Sequence, residues 1–361
     1  MLKHLSEYQN KNVCQTLVKR IEAIVQKPIR IMEVCGTHTM SISRNGIRGL
    51  MPESVALLSG PGCPVCVTSQ VEIDRFICLA KQKEVTITTF GDLMRVPGSE
   101  SSLIQERASG ADIRIIYSTL DALEIARNHP NREIVFLGVG FETTASTVAA
   151  VVLEATKQGV WNFSVISAHK LIPPALKALM ENNAVRIDGF ICPGHVSVII
   201  GAKAYVPLAE TYRVPCVVAG FEPADILQAI YMLAKQIESQ TATVEIAYQR
   251  GVSFEGNARA RQVIHRVFEP CDAQWRGLGC IAESGLKFRA EYGRFDSEKK
   301  FGLPVASASE PRGCSCGDIL MGIKSPTQCA LYARTCTPAH PVGPCMVSTE
   351  GTCAAYYKYS I

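Results

Sequence analysis

The 361-residue sequence lacks any apolar stretch of about 18 residues, the length that a membrane-spanning helix needs. Its first residues, "MLKHLSEYQNKNVC", contain no apolar core of signal-peptide length. The net charge is only +4, and short basic groups such as Arg259, Arg261 and Arg266 are typical of a solvated helix face. We therefore expect a cytoplasmic protein that binds neither membranes nor nucleic acids.

Two further patterns are missing. The sequence has no short repeat of the solenoid type. Its glycine-rich stretch "GVGFETT" (138–144) has neither the GxGxxG spacing nor a Walker lysine, so a nucleotide site there is disfavoured.

Cysteine, by contrast, is abundant. The chain contains 15 cysteines, and six of them lie in the last 48 residues. A reducing compartment disfavours a structural disulfide framework, so such a cluster indicates metal or redox chemistry.

Eight nearly continuous apolar runs bounded by glycine or proline are typical of strands buried on both faces. Their sequences are "IRIMEVCG", "SVALLSG", "VTITTFGD", "IRIIYST", "EIVFLGVG", "FSVISAHK", "GFICPGH" and "CVVAGF". Helix-like segments separate them, which predicts an α/β fold with two similar parallel-sheet domains facing a cleft. We expect domain I at 28–130 and domain II at 131–224. A smaller, mostly helical and irregular Cys-rich domain III would combine 1–27 with 225–361.

Ligands of open parallel sheets bind at the carboxyl ends of the strands. The first two strands are followed by Cys35 and His38 and by Cys63 and Cys66, so we expect these side chains to share one crevice. The other polar residues at strand ends are Asp92, Arg95, Glu142, Thr143, Thr144, His169, Lys170, Cys192, His195 and Glu222.

The pair Cys63 and Cys66 has a CxxC spacing that allows several interpretations. Thr68 or Ser69 can cap the next helix, which would place Cys66 near a helix N-terminus that favours the thiolate. The pair could exchange disulfides by itself, or serve a metal or redox step together with Cys35. Cys35 and His38 offer a thiolate and an imidazole, which suit iron or zinc.

The C-terminal cysteines are separated by 1, 12, 6, 8 and 7 residues. Structural zinc sites usually use two close CxxC pairs, and the only close pair here is CxC. Four separated thiolates in a loop rich in proline and glycine fit a [4Fe-4S] cluster at least as well as zinc. The spacing does not indicate which four of the six would bind.

Six sequence blocks together resemble the HypD family of [NiFe]-hydrogenase maturation factors. They are "CGTHT", "GPGCPVCVT", "GFETT", "CPGHVS", "FEPCDAQWRGLG" and "CTPAHPVGPCMVSTEGTCAAYY", in order over nearly the whole chain. One residue departs from the expected pattern, because His340 stands where a carboxylate or amide would be more usual.

The resemblance implies a scaffold on which iron acquires two cyanides and one carbon monoxide. It places iron on Cys35, Cys63 and Cys66, with His38 beside them. It also implies a [4Fe-4S] cluster on Cys329, Cys336, Cys345 and Cys353. The implied partners are a HypC-type chaperone and a HypE-type cyanide donor, and the chain would be a scaffold with redox-active thiols rather than a conventional enzyme.

Two alternatives remain open. The chain could be an iron-sulfur-dependent thiol-disulfide oxidoreductase, or a zinc-stabilised α/β binding module. Cys314 and Cys316 are candidates for a thiol relay, whereas Cys14, Cys78 and Cys280 are interpreted as packing residues.

Overall fold

The computed structural model describes residues 6–303 and 308–359. The predicted domain III also includes 1–5, 304–307 and 360–361, which lie outside the described residues. The chain is an α/β protein with two parallel sheets and a Cys-rich, irregular C-terminal region, which confirms the predicted fold class. In the part of the chain that is described, no helix is both long and apolar enough to cross a membrane.

All eight apolar runs form strands, and three more strands follow them. The strands are β1 (Ile29–Glu33), β2 (Val55–Ser59), β3 (Val85–Thr89), β4 (Ile113–Ile115), β5 (Glu133–Gly140), β6 (Phe163–His169), β7 (Gly189–Pro193), β8 (Cys216–Ala219), β9 (Val244–Ile246), β10 (Phe268–Trp275) and β11 (Gly279–Phe288).

The first sheet has five parallel strands in the order β2-β1-β7-β8-β9. The second sheet has four parallel strands in the order β4-β3-β5-β6. The chain therefore leaves the first sheet after β2, builds the whole second sheet, and returns to the first sheet at β7.

This pairing differs from the expected division at residues 130 and 131. Domains I and II were expected to hold one sheet each, but β3 pairs with β5 across that boundary and β1 pairs with β7. The reason is that an apolar run indicates burial on both faces of a strand without indicating its neighbour in the sheet.

The α-helices cover both sheets and the C-terminal region. They are α1 (Lys11–Ile24), α2 (Gly36–Arg44), α3 (Ile47–Leu50), α4 (Pro64–Val67), α5 (Gln70–Ala80), α6 (Leu103–Ala108), α7 (Thr119–Asn128), α8 (Glu142–Gln158), α9 (Ile172–Glu181), α10 (Gly194–Ile200), α11 (Val206–Tyr212), α12 (Pro223–Glu238), α13 (Ala258–Val267), α14 (Ser297–Phe301), α15 (Cys316–Leu320), α16 (Pro344–Val347) and α17 (Thr352–Tyr359).

Helix α1 packs against the first sheet rather than against the Cys-rich region. Its apolar residues Leu17 and Ile21 share one buried core with Ile29 of β1 and Ile230 of α12. The amphipathic pattern of α1 indicates an apolar face but not the surface that covers it. The expected grouping of 1–27 with the Cys-rich segment therefore differs from the structure.

Strands β10 and β11 form an antiparallel hairpin in a region that was expected to be irregular. Burial alternates along β10, as it does in a strand with one face in solvent. Gly277 at the hairpin tip has a φ of +78°, and a Cβ there would collide with the Cα of Gly317. The tip therefore touches the segment that immediately follows Cys316.

The Cys-rich segment does not form a separate lobe. Cys316, Cys345 and Cys353 belong to the same buried core as Cys63 and Cys66, and that core continues between the two sheets. The shared core thus fixes the positions of the C-terminal cysteines relative to the CxxC loop.

Candidate functional site

The loops that follow β1 and β2 meet at the carboxyl edge of the first sheet. These two strands are parallel neighbours, and Gly36 N donates to Gly62 O at 3.0 Å. A Cβ at Gly62 would overlap the backbone of Val34 and Cys35. Only glycine therefore lets the CxxC loop approach Cys35 this closely.

Gly62→Ala is expected to lower the free energy of unfolding by about 1–3 kcal/mol, the usual cost of overpacking. Gly49→Ala is the matched control, because a Cβ at Gly49 of α3 meets nothing within 4 Å. Denaturant titration without oxygen measures both variants. Equal midpoints would contradict the close approach of the two loops.

A cavity of about 450 Å³ opens where these loops face the second sheet and the C-terminal segment. It is lined by Val34, Cys35, Thr37, Gly62, Pro64, Phe141, Thr143, Thr144, Pro193, His195, Val196, Val198, Ile199 and Glu350. The lining brings together the predicted Cys35 with polar groups from three other parts of the chain. We call this space the Cys35 cavity.

Cys35 is the N-terminal cap of α2 and is 7% exposed. Burial raises the pKa of its thiol to about 12, and the charge of Glu350 acts in the same direction. The backbone N–H groups of His38 and Thr37 lower this pKa, because they donate toward the sulfur. A soft cation in the cavity would favour the thiolate, which is the form that binds metals.

His38 does not line the Cys35 cavity, although it lies on the same helix as Cys35. Its Nε2 donates to Gly220 O at 2.9 Å, and its ring centroid lies 5.1 Å from that of Phe221. Burial lowers the pKa of His38 to about 4, so the ring is neutral at physiological pH. In this structure His38 therefore anchors α2 to the loop after β8.

His195 and Glu350 line the cavity; His195 was predicted at a strand end, whereas Glu350 was not predicted. The His195 ring stacks on Phe221 with 4.0 Å between centroids, and burial lowers its pKa. Thr37 Oγ1 donates to Glu350 Oε1 at 2.6 Å, and burial raises the pKa of that carboxyl group. The strand-end position of "CPGHVS" indicated His195, whereas no sequence signal links Glu350 to β1.

Cys63 and Cys66 form a disulfide with 5.2 Å between their Cα atoms. Cys63 caps the one-turn helix α4, and the N–H of Cys66 donates to its sulfur at 3.2 Å. Ser69 caps the following helix α5, as predicted, with Glu72 completing a capping box. The helix N-terminus nearest this pair is thus that of α4, and Cys63 is its cap.

The Cys63 sulfur also reaches the C-terminal segment. It lies 3.3 Å from Ser348 Oγ, and the Ser348 hydroxyl donates to Asp92 Oδ2 at 3.0 Å. Asp92 was predicted at this rim from its position after β3. The CxxC loop is therefore connected to both the second sheet and the end of α16.

Thr143 and Thr144 line the Cys35 cavity as well, whereas other predicted strand-end residues lie outside it. Glu142 is buried and accepts the N–H of Ile172 at 3.0 Å, and burial raises its pKa to about 7. Lys170 is buried against Glu72, with 2.5 Å between nitrogen and oxygen, and lines a different cavity together with His169. Glu222 accepts from Gln9 at 2.7 Å.

Six cysteines surround one small pocket in the C-terminal region. They are Cys314, Cys316, Cys329, Cys336, Cys345 and Cys353. All four predicted cluster ligands are in this set, together with the two candidates for a relay. Within residues 6–303 and 308–359, no group of three His, Cys, Asp or Glu side chains is arranged to hold a single metal ion.

The sulfurs of Cys316 and Cys345 lie 2.9 Å apart. Hydrogen bonds from Cys314 and Cys345, and then the charge of Arg276, lower the pKa of Cys316. Arg276 is buried at the tip of the β10–β11 hairpin, and its Nε donates to Thr68 O at 2.9 Å. One guanidinium group therefore touches the end of the CxxC helix and acts on a thiol of the six-cysteine pocket.

A family model described as "HypD: Hydrogenase formation hypA family" matches residues 12–360. The chain belongs to the HypD family. A hydrogenase maturation factor HypD of Rhodobacter capsulatus is 47% identical over 348 residues, covering 95% of this chain and 92% of the relative. The HypD of Cupriavidus necator and the HypD2 of Bradyrhizobium diazoefficiens are each 44% identical over 368 residues, covering 99% and 97%.

The HypD resemblance seen in the six sequence blocks is confirmed by this match. Membership of the HypD family assigns the chain a role in hydrogenase maturation. The sequence blocks of the family surround the Cys35 cavity and the six-cysteine pocket, which makes these two places the candidate functional site.

Proposed function

We propose that this chain is the cytoplasmic scaffold on which the Fe(CN)2CO centre of [NiFe]-hydrogenase is assembled. The observation that carries the proposal is the meeting of the Cys35 loop and the CxxC loop at one cavity, which Cys35, Gly62 and Pro64 line. Iron is cargo in this function, and a HypC-type chaperone would share its binding while a HypE-type partner would supply cyanide. Both partners would need access to the iron from outside the cavity.

Cys35 is the thiol that the cavity lining offers to iron, whereas Cys63 and Cys66 belong to the adjoining loop and lie outside the lining. Cys35 offers a thiolate once the cation displaces its proton, and reduction of the disulfide would free Cys63 and Cys66 as further sulfur ligands. Soft thiolates suit low-valent iron that also carries cyanide and carbon monoxide.

The six-cysteine pocket fits an iron-sulfur cluster by its donor set, since thiolates are the usual ligands of such clusters. Four cysteines would each bind a different iron of a [4Fe-4S] cluster. The HypD resemblance implies Cys329, Cys336, Cys345 and Cys353 as the ligands. When bound, the cluster would supply electrons to nearby thiols.

Cys314 is the alternative fourth ligand. The sulfurs of Cys316 and Cys345 lie 2.9 Å apart, which is close enough for a redox pair outside the cluster. If these two form a redox pair, Cys314 takes the place of Cys345 as the fourth ligand. Cys345 begins the turn of α16 that ends beside Ser348, the residue in contact with Cys63.

Replacement of single cysteines decides between the two ligand sets. Cys345→Ser is expected to lose most of the cluster iron and sulfide, whereas Cys314→Ser is expected to retain both. Iron and acid-labile sulfide are measured on protein purified without oxygen, with Cys280→Ser as the control. Loss of the cluster in Cys314→Ser alone would replace Cys345 by Cys314 in the set that the resemblance implies.

Complementation tests the proposed function. A bacterial host that lacks its own HypD is given this chain with the matching HypC-type and HypE-type partners, and hydrogenase activity is measured. Recovery of activity is expected, with iron and labile sulfide in the purified chain. Stoichiometric zinc without sulfide, together with no recovery, would favour the binding-module alternative.

The Cys63–Cys66 disulfide also favours a second candidate function, a cluster-dependent thiol-disulfide oxidoreductase. That function would use the CxxC pair and the six-cysteine pocket but would not need Cys35. Reduction of a disulfide substrate by a Cys35→Ala variant at the wild-type rate, with no carbonyl or cyanide on the wild-type protein, would favour it.

A further inference from the structure

The surface over the six-cysteine pocket is rich in positive charge. Residues 319–349 contain Lys324 and Arg334 but neither aspartate nor glutamate. Arg334 is exposed. It lies on a tight turn in which the N–H groups of Arg334 and Cys336 both donate to Leu331 O. This turn joins two residues that line the pocket, so the charge lies directly beside it.

Neighbouring segments add three more exposed cations. Arg95 Nη1 donates to Pro338 O at 3.2 Å, next to the same turn. Arg312 precedes Gly313, whose carbonyl oxygen lies 4.0 Å from the Cys329 sulfur. Lys358 belongs to α17, which also carries a pocket cysteine. We call Arg95, Arg312, Arg334 and Lys358 the cationic rim.

The side chains of the cationic rim form no ion pairs within residues 6–303 and 308–359. Two nearby carboxylates are paired with other cations, Asp318 with Lys324 and Glu310 with Arg276. Asp92 accepts hydrogen bonds from the neutral donors Ser348 and Thr349.

The pocket comes nearest to solvent at two of its six cysteines. Cys314 and Cys329 are partly exposed, whereas Cys316, Cys336, Cys345 and Cys353 are buried. Tyr332 lines the pocket and contacts Tyr357 edge-on, with 6.4 Å between the ring centroids. Tyr357 is 44% exposed, so two aromatic rings lead from the pocket to the surface.

We propose that the cationic rim docks a small acidic electron-carrier protein, which reduces the cluster one electron at a time. This inference rests on the cluster of the proposed function. In each encounter the carrier's reduced centre loses one electron and the cluster gains it, so no proton or leaving group is required. Opposite charges steer such encounters, and interfaces between electron-transfer proteins are typically small and weak.

The test compares charge reversal at the rim with charge reversal elsewhere. The rim variant carries Arg312→Glu and Arg334→Glu, and the control carries Arg127→Glu on α7, which covers the second sheet. Oxygen-free stopped-flow absorbance records cluster reduction by a reduced plant-type [2Fe-2S] ferredoxin, an acidic carrier. Reduced methyl viologen, a small reductant, serves as the reference.

At low salt, the rim variant is expected to be reduced by ferredoxin at least about tenfold more slowly than wild type, and the control within about twofold of it. The wild-type rate should fall as salt is added, because counterions screen the charges. Methyl viologen should reduce all three proteins without this loss. Equal ferredoxin rates in the three proteins, with no salt dependence, would overturn the proposal.

A binding titration separates this proposal from the existence of the cluster. Gallium-substituted ferredoxin cannot transfer electrons, and its binding depends only on the surface. Weaker binding to the rim variant than to the control would support the cationic rim as the docking site. Absence of a cluster in metal analysis would count against the proposed function but would leave this binding result standing. Equal binding of ferredoxin to both variants would refute the cationic rim as the carrier's binding site. So would tighter binding of the wild-type protein to a short DNA duplex than to ferredoxin.

Discussion

Cys35→Ala is expected to lower hydrogenase maturation by at least about 100-fold while the iron-sulfur cluster remains, since loss of a ligand costs at least what loss of its supporting groups costs. Cys35 is a single buried thiol in the lining of the cavity, and two backbone N–H groups of α2 donate toward its sulfur. Alanine removes the sulfur and leaves the cap position and the loop backbone in place. The six-cysteine pocket does not include Cys35, so its iron should be unaffected.

The measurement is hydrogenase activity in the complemented host, together with iron and sulfide content of the purified variant. Cys14→Ala is the matched control, because Cys14 lies on α1 and lines neither the Cys35 cavity nor the six-cysteine pocket. The control should retain both activity and iron. Normal maturation by Cys35→Ala would show that cargo iron does not depend on this thiol.

Cys63→Ser and Cys66→Ser are each expected to reduce maturation by about 100-fold as well, with the cluster again retained. Either change removes the disulfide and one of the sulfurs predicted to hold iron. Serine keeps the size of the side chain, and both positions are buried in the main core. The loss should therefore reflect chemistry rather than unfolding.

Ser348→Ala distinguishes the chemistry of Cys63 from its packing. This variant removes the hydroxyl that lies 3.3 Å from the Cys63 sulfur but leaves both thiols in place. Its activity is expected to fall much less than that of the cysteine variants. Activity equal to wild type in both Cys63→Ser and Cys66→Ser would remove the CxxC pair from the account.

The parallel α/β fold was predictable because strands buried on both faces have a distinctive apolar pattern. All eight runs proved to be strands, and their ends carry most of the polar site residues. The exchange of strands between the two sheets was not predictable, since β1 and β7 are separated by more than 150 residues and nothing local encodes their pairing. The carboxyl ends of β1 and β2 still meet, because these two strands are neighbours in the observed sheet, as they are in the expected division of the chain.

The cavity was predictable only in part, because its lining comes from distant segments. Cys35 could be identified from its position after a strand. Glu350 reaches the cavity only because the segment after α16 packs against α2, where Gly36 leaves room for its side chain. His38 has the right spacing for a ligand, yet a carbonyl at the end of β8 holds its ring away from the cavity lining.

Infrared spectroscopy of the chain co-purified with its HypC-type partner tests the central claim most directly. Bound cyanide and carbon monoxide absorb in a region where protein does not. The account predicts these bands in the wild-type complex and in Cys14→Ala, and their loss in Cys35→Ala. Bands of undiminished intensity in Cys35→Ala, or none in a wild-type complex that supports maturation, would contradict it.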